Sequence, residues 1–330
     1  MADAAIIDAL RRMGLVGPDE AVRLTPLTGG VSSDIHLVEA AGRRFCVKRA
    51  LARLKVAAVW EVPLQRNAAE ADWLRQVGAW LPSAAPEVLG EDAGLGCFAM
   101  SYLPPAENPV WKAELLAGRI DTGFAGRVGQ DLAAIHARSA ADPTMAGRFA
   151  HDATFEAIRI EPYLLATGRA HPALAGRFAA LAAATLACRR ALVHGDASPK
   201  NILTGAQGPV FLDAECAWFG DPAFDLAFCL NHLLLKGARG GADRRGYLAA
   251  FSALAEAYRA GIAWEEPAGL EARAAALLPA LFLARIDGKS PVEYLTAEAE
   301  RDAVRRCAVP LVAEPPARLA DIAVRWISTP

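Results

Sequence analysis

The chain has no long apolar run, no marked charge of either sign and few cysteines. Its longest apolar stretches, around Phe178–Cys188 and Ala274–Ala284, are bounded by arginine. They fall well short of the roughly eighteen residues needed to span a membrane. Met1-Ala2-Asp3-Ala4 lacks the basic start and apolar core of a secretory signal, so a soluble cytoplasmic protein with no membrane partner is expected. A formal net charge of −2, with basic residues scattered among acids, excludes general attraction to nucleic acid or anionic lipid. The six cysteines (Cys46, Cys97, Cys188, Cys216, Cys229 and Cys307) are far apart and form no C-x-x-C pair. That pattern fits neither a zinc site nor a disulfide framework and suits small buried residues in a reduced compartment.

What is present is core. With 330 residues and 54% hydrophobic content, the chain can build two lobes around ample apolar material and is not a disordered polymer. The most informative stretch is Leu192-Val193-His194-Gly195-Asp196-Ala197-Ser198-Pro199-Lys200-Asn201, followed by Val210-Phe211-Leu212-Asp213-Ala214-Glu215. Two apolar runs, each ending in a carboxylate, are separated by an amide-bearing loop and a Gly205/Gly208 turn, which reads as two strands returning beside each other. Asp196, Asn201 and Asp213 then meet at one end. Oxygen-bearing side chains on short rigid segments suit a hard divalent cation that bridges phosphates, with one carboxylate left to take a proton.

His-Gly-Asp, an Asn five residues after the Asp, and an Asp-x-Glu after the next strand resemble the catalytic loop of the aminoglycoside phosphotransferase and choline kinase family, relatives of the protein kinases. The resemblance implies an α+β, bilobal, protein-kinase-like fold, with a small antiparallel-sheet N-lobe and a large, mostly helical C-lobe. It implies ATP- and Mg²⁺-dependent phosphate transfer to the hydroxyl of a small molecule. Asp196 would accept the hydroxyl proton, Asn201 and Asp213 would hold Mg²⁺, and Glu215 would be a further metal ligand or hold the loop. The Asp-x-Glu, Val47-Lys48-Arg49-Ala50-Leu51, Trp60 with Arg66-Asn67, and Cys216-Ala217-Trp218-Phe219-Gly220 also resemble the methylthioribose kinase branch. Asn201 instead follows the broader family.

Along the chain, Ile6, Ile7, Leu10 and Met13 predict a short N-terminal helix ended by Gly14 and Gly17-Pro18. Three strands follow, at Ala21–Pro26, Ile35–Ala40 and Arg43–Arg49. The loop Leu27–Asp34 joins two strands, which disfavours a Walker loop; its glycines allow close backbone approach to a ligand. Taken alone it reads as a hairpin turn. One strand ahead of Lys48, it is expected to cover the nucleotide phosphates through Gly29, Gly30, Ser32 and Ser33. On the next helix, Asn67–Val77, Glu70 shares a buried stripe with Trp73, Leu74 and Val77. A carboxylate there is costly unless paired, and Lys48 is the expected partner, with Glu61 the competitor. The segment Ala50–Gln65 is either a cover over the nucleotide or a surface insertion.

A second hairpin, Pro86–Leu89 and Cys97–Leu103, ends at Pro104-Pro105. This sets an expected boundary between a nucleotide-binding lobe, 1–103, and a catalytic and acceptor-binding lobe, 104–330. Met100 and Tyr102 lie in the connecting segment whose backbone would meet the adenine. Gly94–Ala99 mimics a dinucleotide fingerprint but precedes a strand. Beyond it the pattern is helical. Asp121–Ser139 carries His136 as a scaffold residue, Phe155–Ala166 is a further helix, and the Ala-rich Ala173–Ala187 is expected in the core. Asp221-Pro222 caps another helix. The resemblance assigns Asp225 a role supporting the catalytic loop, and Asn231 and His232 are possible acceptor-side groups. Helices near Arg244–Arg259, Leu270–Arg285, Glu293–Ala308 and Ala317–Trp326 complete the chain.

The mixed charges of residues 236–330 fit a neutral polyol, sugar or amino alcohol at least as well as a polycationic aminoglycoside. Two other readings remain: a metal-dependent phosphohydrolase using His194, Asp196, Asp213 and Glu215, for which six histidines are few, and a nucleotide-binding protein without catalysis. A monomer or homodimer is expected.

Overall fold

The computed structural model describes residues 2–27, 33–50 and 66–329. Helix α1 (Ala2–Arg12) precedes an antiparallel sheet of β1 (Val22–Leu27), β2 (Ser33–Ala40), β3 (Arg43–Ala50), β4 (Val88–Asp92) and β5 (Cys97–Ser101), in the order β1-β2-β3-β5-β4. Strand alternation divides β3 between two cores. Phe45 and Val47 pack with Ile6, Ala9 and Leu10 of α1. Cys46, on the face that also carries Lys48, packs with Trp73, Leu74 and Val77 of α2 (Arg66–Trp80). Lys48 lies opposite Ile35 on β2 and Phe98 on β5, in the middle of the sheet.

The remainder is mostly helical. After α3 (Trp111–Leu116), α4 (Thr122–Ala140) is capped by Asp121, whose carboxylate accepts from the Phe124 amide. Short helices α5 (Met145–Arg148) and α6 (Asp152–Phe155) lead into a π-helical segment, Glu156–Leu165. Phe155–Ala166, expected as an ordinary helix, is therefore wound more loosely. Pro162 within it has no amide hydrogen to donate, which favours an irregular ladder. Helices α7 (Ala166–Ala170) and α8 (Ala175–Ala187) follow. The expectation that the Ala-rich helix lies in the core is wrong: α8 buries only Phe178, Ala182 and Thr185 and turns its other alanines outward. Alanine favours helix wherever it sits, so its abundance does not report burial.

The central strands are short: β6 (Ala191–Val193), β7 (Ile202–Gly205), β8 (Gly208–Phe211) and β9 (Trp218–Gly220). The strand before Asp196 does not pair with the strand before Asp213. Instead β6 pairs with β9, and β8 forms a hairpin with β7. The glycine turn is there, but the arm leading into it begins at Ile202, after the loop. Five helices complete the fold: α9 (Pro222–Gly237), α10 (Arg244–Ala260), α11 (Pro267–Asp287), α12 (Glu298–Ala313) and α13 (Leu319–Ser328). Every residue of α9 is buried. At Gly129 a methyl group would lie 2.2 Å from the Leu254 carbonyl, so only glycine permits this close crossing of α4 and α10. By length and composition α11 alone among the described helices could cross a membrane, but 61% of its apolar window is buried inside the protein, as in a core helix.

Candidate active site

The loop after β6 is shaped by a glycine and a buried aspartate. Gly195 has φ +76°, and a Cβ there would sit 2.5 Å from the Cys216 carbonyl oxygen, so no other residue fits without displacing backbone. Asp225, fully buried on α9, accepts from the His194 amide at 2.6 Å and the Gly195 amide at 2.8 Å, and His136 Nε2 lies 3.3 Å from it. His136 Nδ1 lies 2.7 Å from the Tyr258 hydroxyl. His136 and Asp225 thus take the scaffold and support positions expected of them.

His194 is locked by backbone. Its Nε2 faces the Leu212 carbonyl at 3.0 Å, and its Nδ1 accepts from the Asp196 amide at 3.1 Å. These partners assign a neutral ring with the proton on Nε2. Burial acts the same way, lowering the ring's pKa despite the pull of Asp225. With both nitrogens engaged, His194 has no lone pair for a metal, which removes the phosphohydrolase ligand set.

Asp196 is almost fully buried, and its two oxygens differ. Oδ2 receives Arg159 at 2.8 Å and Lys200 at 3.0 Å, whereas Oδ1 is buried without a partner among the described residues. Burial opposes ionisation of Asp196, but Arg159 and Lys200 outweigh it and hold the carboxyl below its ordinary value. Arg159 reaches the loop from the π-helical segment and also donates to the Gly195 carbonyl at 2.5 Å. The Asn201 side-chain amide donates to the Asp196 main-chain carbonyl at 3.1 Å, and the Asn201 main-chain carbonyl accepts from the Leu212 amide at 2.8 Å. The β7–β8 hairpin thereby brings Asn201 beside Asp213, which has φ 63°, a left-handed conformation that aspartate tolerates better than most residues.

Lys48 joins the two halves of the site. Its ammonium lies 2.6 Å from Glu70 and 2.5 Å from Asp213, and both Lys48 and Glu70 are buried. Glu215 binds Arg66 at 2.9 Å from the start of α2. Two carboxylates thus hold one lysine, and the charge of Glu215 acts on it without contact. Burial would lower the Lys48 pKa, but Asp213 and Glu70 raise it, so it stays charged. Burial also opposes ionisation of Asp213, and Lys48 and Lys200 hold its carboxyl far below the ordinary range. The unfavourable share falls on Glu70, which burial pushes up to about 7, and on Glu215, which burial and Asp213 push up.

The structure thus gathers Lys48, Glu70, Asp196, Asn201, Asp213 and Glu215. Met100 and Tyr102 lie at the end of β5 and just beyond it, where the sheet gives way to the helical lobe, with Arg44 over the Tyr102 ring at 4.7 Å. Ser33 opens β2. Gly29, Gly30, Ser32, Glu61 and the 51–65 segment lie outside the described residues. The roles of three basic residues were not anticipated. Lys200 had a spacing signal, four residues after Asp196. Arg66 was singled out only within the Arg66-Asn67 stretch, with no partner assigned. Arg159, within Ile158-Arg159-Ile160, had only the oddity of a charge inside an apolar run.

The bilobal α+β architecture and a carboxylate-rich loop facing a sheet lysine define a kinase-like phosphotransferase. The chain belongs to the phosphotransferase enzyme family, whose profile matches residues 23–270. Solved structures with the same fold include a choline/ethanolamine kinase family protein from Mesorhizobium loti, 18% identical, TM-score 0.55, covering 98% of each chain. The amicoumacin kinase hAmiN, in complex with AMP-PNP, Ca²⁺ and Ami, is 13% identical, TM-score 0.57, covering 97% of this chain and 98% of that one. An ethanolamine kinase from Plasmodium vivax is 9% identical, TM-score 0.54, covering 96% and 85%. No curated protein matches the chain. The protein is a phosphotransferase.

Proposed function

We propose that the protein transfers the γ-phosphate of ATP to a hydroxyl of a sugar, amino alcohol or related metabolite, with Mg²⁺, in the cytoplasm. The observation that carries this reading is the divided Asp196 carboxylate. Arg159 and Lys200 fix one oxygen, and the other is buried and open to a proton donor. A group held in this way acts as a general base by position, a contribution of roughly 10²–10⁴ in rate.

Residues 1–103 bind the nucleotide and 104–330 carry the catalytic and acceptor groups. Lys48 contacts the nucleotide phosphates, Glu70 holds Lys48, and the backbone around Met100 and Tyr102 meets the base. The donor set fits Mg²⁺: the Asn201 amide nitrogen is used on the Asp196 carbonyl, leaving a carbonyl oxygen, and Asp213 supplies carboxylate oxygen. Asn201 and Asp213 would hold the ion, with Glu215 adding charge nearby while Arg66 holds its carboxylate. The ion supplies charge neutralisation to the transferring phosphoryl group. Nucleotide and a divalent ion occur together in the amicoumacin kinase complex.

The test is Asp196→Asn in a coupled ADP-release assay across sugars, nucleosides, amino alcohols and aminoglycosides. Turnover falls by ~10²–10⁴ while nucleotide affinity is retained. Equal loss of nucleotide affinity, or stoichiometric tight transition metal in the protein without nucleotide, would overturn the reading.

A further inference from the structure

A second group of polar side chains extends away from Asp196 along α9, and the phosphotransfer chemistry does not use it. Lys236 is buried to 1% exposure, yet its ammonium donates only to the His232 carbonyl at 3.3 Å and sits 5.2 Å above the Tyr294 ring. Arg285 is buried as well. It donates to the Tyr163 hydroxyl at 3.3 Å, the Ser290 hydroxyl at 2.7 Å and the Ser290 main-chain carbonyl, and its Nε has no partner among the described residues. Among the described residues neither cation has a carboxylate partner. Glu293, whose charge acts on both, is paired instead with Lys112, whose ammonium lies 5.8 Å from the Tyr294 ring centroid.

This group is continuous with the reacting centre. Arg159, which holds Asp196, lies over Tyr163 and Phe228; Arg285 lies over the same Tyr163 ring, and Phe228 stacks edge-on to His232 one turn before Lys236. Among the described residues, buried polar atoms lacking a hydrogen-bond partner include Arg285 Nε and the Tyr294 hydroxyl within this group, Asn231 Oδ1 on α9 and Asp196 Oδ1 at the reacting centre. Native interiors leave few such atoms, and their occurrence in a group whose cations have no carboxylate partner marks a place where a polar ligand completes the bonding. Burial and the repulsion of Lys112 push Lys236 down to about 7, so a bound anion would restore its charge.

We infer that the phosphate acceptor carries an anionic group, a carboxylate or a phosphate, that docks at Lys236, Arg285 and Tyr294 while its hydroxyl faces Asp196. This rests on the phosphotransfer reading of Asp196. It sets the acceptor apart from choline, ethanolamine and the aminoglycosides, whose cationic groups these side chains would repel.

The experiment titrates inorganic phosphate and malonate, at constant ionic strength set with chloride, into wild-type protein and Lys236→Met while the thermal midpoint is followed. A ligand that binds only the native state raises the midpoint. The wild type is stabilised saturably by one or both anions, and Lys236→Met shifts half-saturation upward by ~10-fold or more. The stronger anion distinguishes a phosphate-bearing from a carboxylate-bearing acceptor. Arg285→Met serves as a second variant if Lys236→Met does not fold. In the ADP-release assay gluconate or glucose 6-phosphate outperforms glucose and glucosamine. Equal stabilisation of wild type and variants, no stabilisation, or turnover favouring glucosamine would overturn the inference. Failure of the phosphotransfer reading looks different: turnover indifferent to Asp196→Asn, with the anion titration intact.

Discussion

Arg159 and Asp196 form a buried ion pair, Nη2 to Oδ2 at 2.8 Å, joining a π-helical segment to the loop that carries the proposed base. The pair fixes which carboxylate oxygen is free and keeps that carboxylate ionised where burial alone would favour the acid. A π-turn beside a functional group is a recurrent placement. Here it delivers the Arg159 guanidinium to Asp196.

Removing that guanidinium has a defined sign. In Arg159→Met, burial remains while the larger of two compensating charges is lost and only Lys200 is left on the carboxylate, so the Asp196 pKa rises and the acid limb of the kcat profile moves to higher pH. Losing one charge-assisted contact also costs roughly 1.5–3 kcal/mol of stability. A pH–rate profile and urea unfolding check both. An unmoved acid limb would show that the pair is structural only.

Lys48 and Glu70 are predicted to be strongly non-additive. Lys48→Met leaves Glu70 and Asp213 without their shared cation and destabilises by roughly 3–5 kcal/mol, with nucleotide binding lost. Glu70→Gln alone weakens nucleotide binding less. The double variant is more stable than the sum of the singles implies, by ~0.5–3 kcal/mol in a denaturant double-mutant cycle.

Glu70 should also leave a signature in the pH dependence of stability. Its folded pKa, about 7, lies above its ordinary 4.5, so between those values the native state binds the extra proton. Its contribution is therefore fully present below about 4.5 and is lost as pH rises through 7. Wild-type stability should fall across this window relative to Glu70→Gln, measured by chemical denaturation from pH 5 to 8.

Asp225 is expected to couple the catalytic loop to the helical core. Asp225→Asn replaces one of two charged acceptors for the His194 and Gly195 amides with a donor, at a cost of about 1.5–3 kcal/mol. Loss of kcat should accompany it, with the KM for ATP largely retained. Urea unfolding and steady-state kinetics separate the two effects.

Gly195→Ala is expected to be damaging through the backbone alone. It places a Cβ 2.5 Å from a backbone oxygen at φ +76° and should destabilise by at least ~2 kcal/mol, seen as a lowered thermal midpoint together with lost turnover.

Much of the site could be read in the chain because it rests on local chemistry. His194-Gly195-Asp196 with Asn201, then Asp213-Ala214-Glu215, is a linear arrangement of residue types. Lys48 on a strand and Glu70 on an apolar helical stripe are patterns of period 2 and 3.6, which need no tertiary information. The capped start of α9 at Asp221-Pro222 is likewise local: its carboxylate accepts from the Ala223 amide at 3.1 Å. The failures share one cause. The pairing of β6 with β9 rather than with the strand before Asp213 depends on strands too short for their patterns to select a partner. The exposure of α8 depends on what lies across from it, which alanine does not encode.

By itself, then, the sequence determined the reaction class and the elements carrying Lys48, Glu70, Asp196, Asn201 and Asp213. Tertiary structure alone decided the charge balance. Arg159 on Asp196 and Arg66 on Glu215 bring together residues far apart in the chain, while Lys236 and Arg285 are buried with no carboxylate partner among the described residues. Ion pairing and desolvation act through space over a few ångströms, and neither leaves a period or a spacing in the chain.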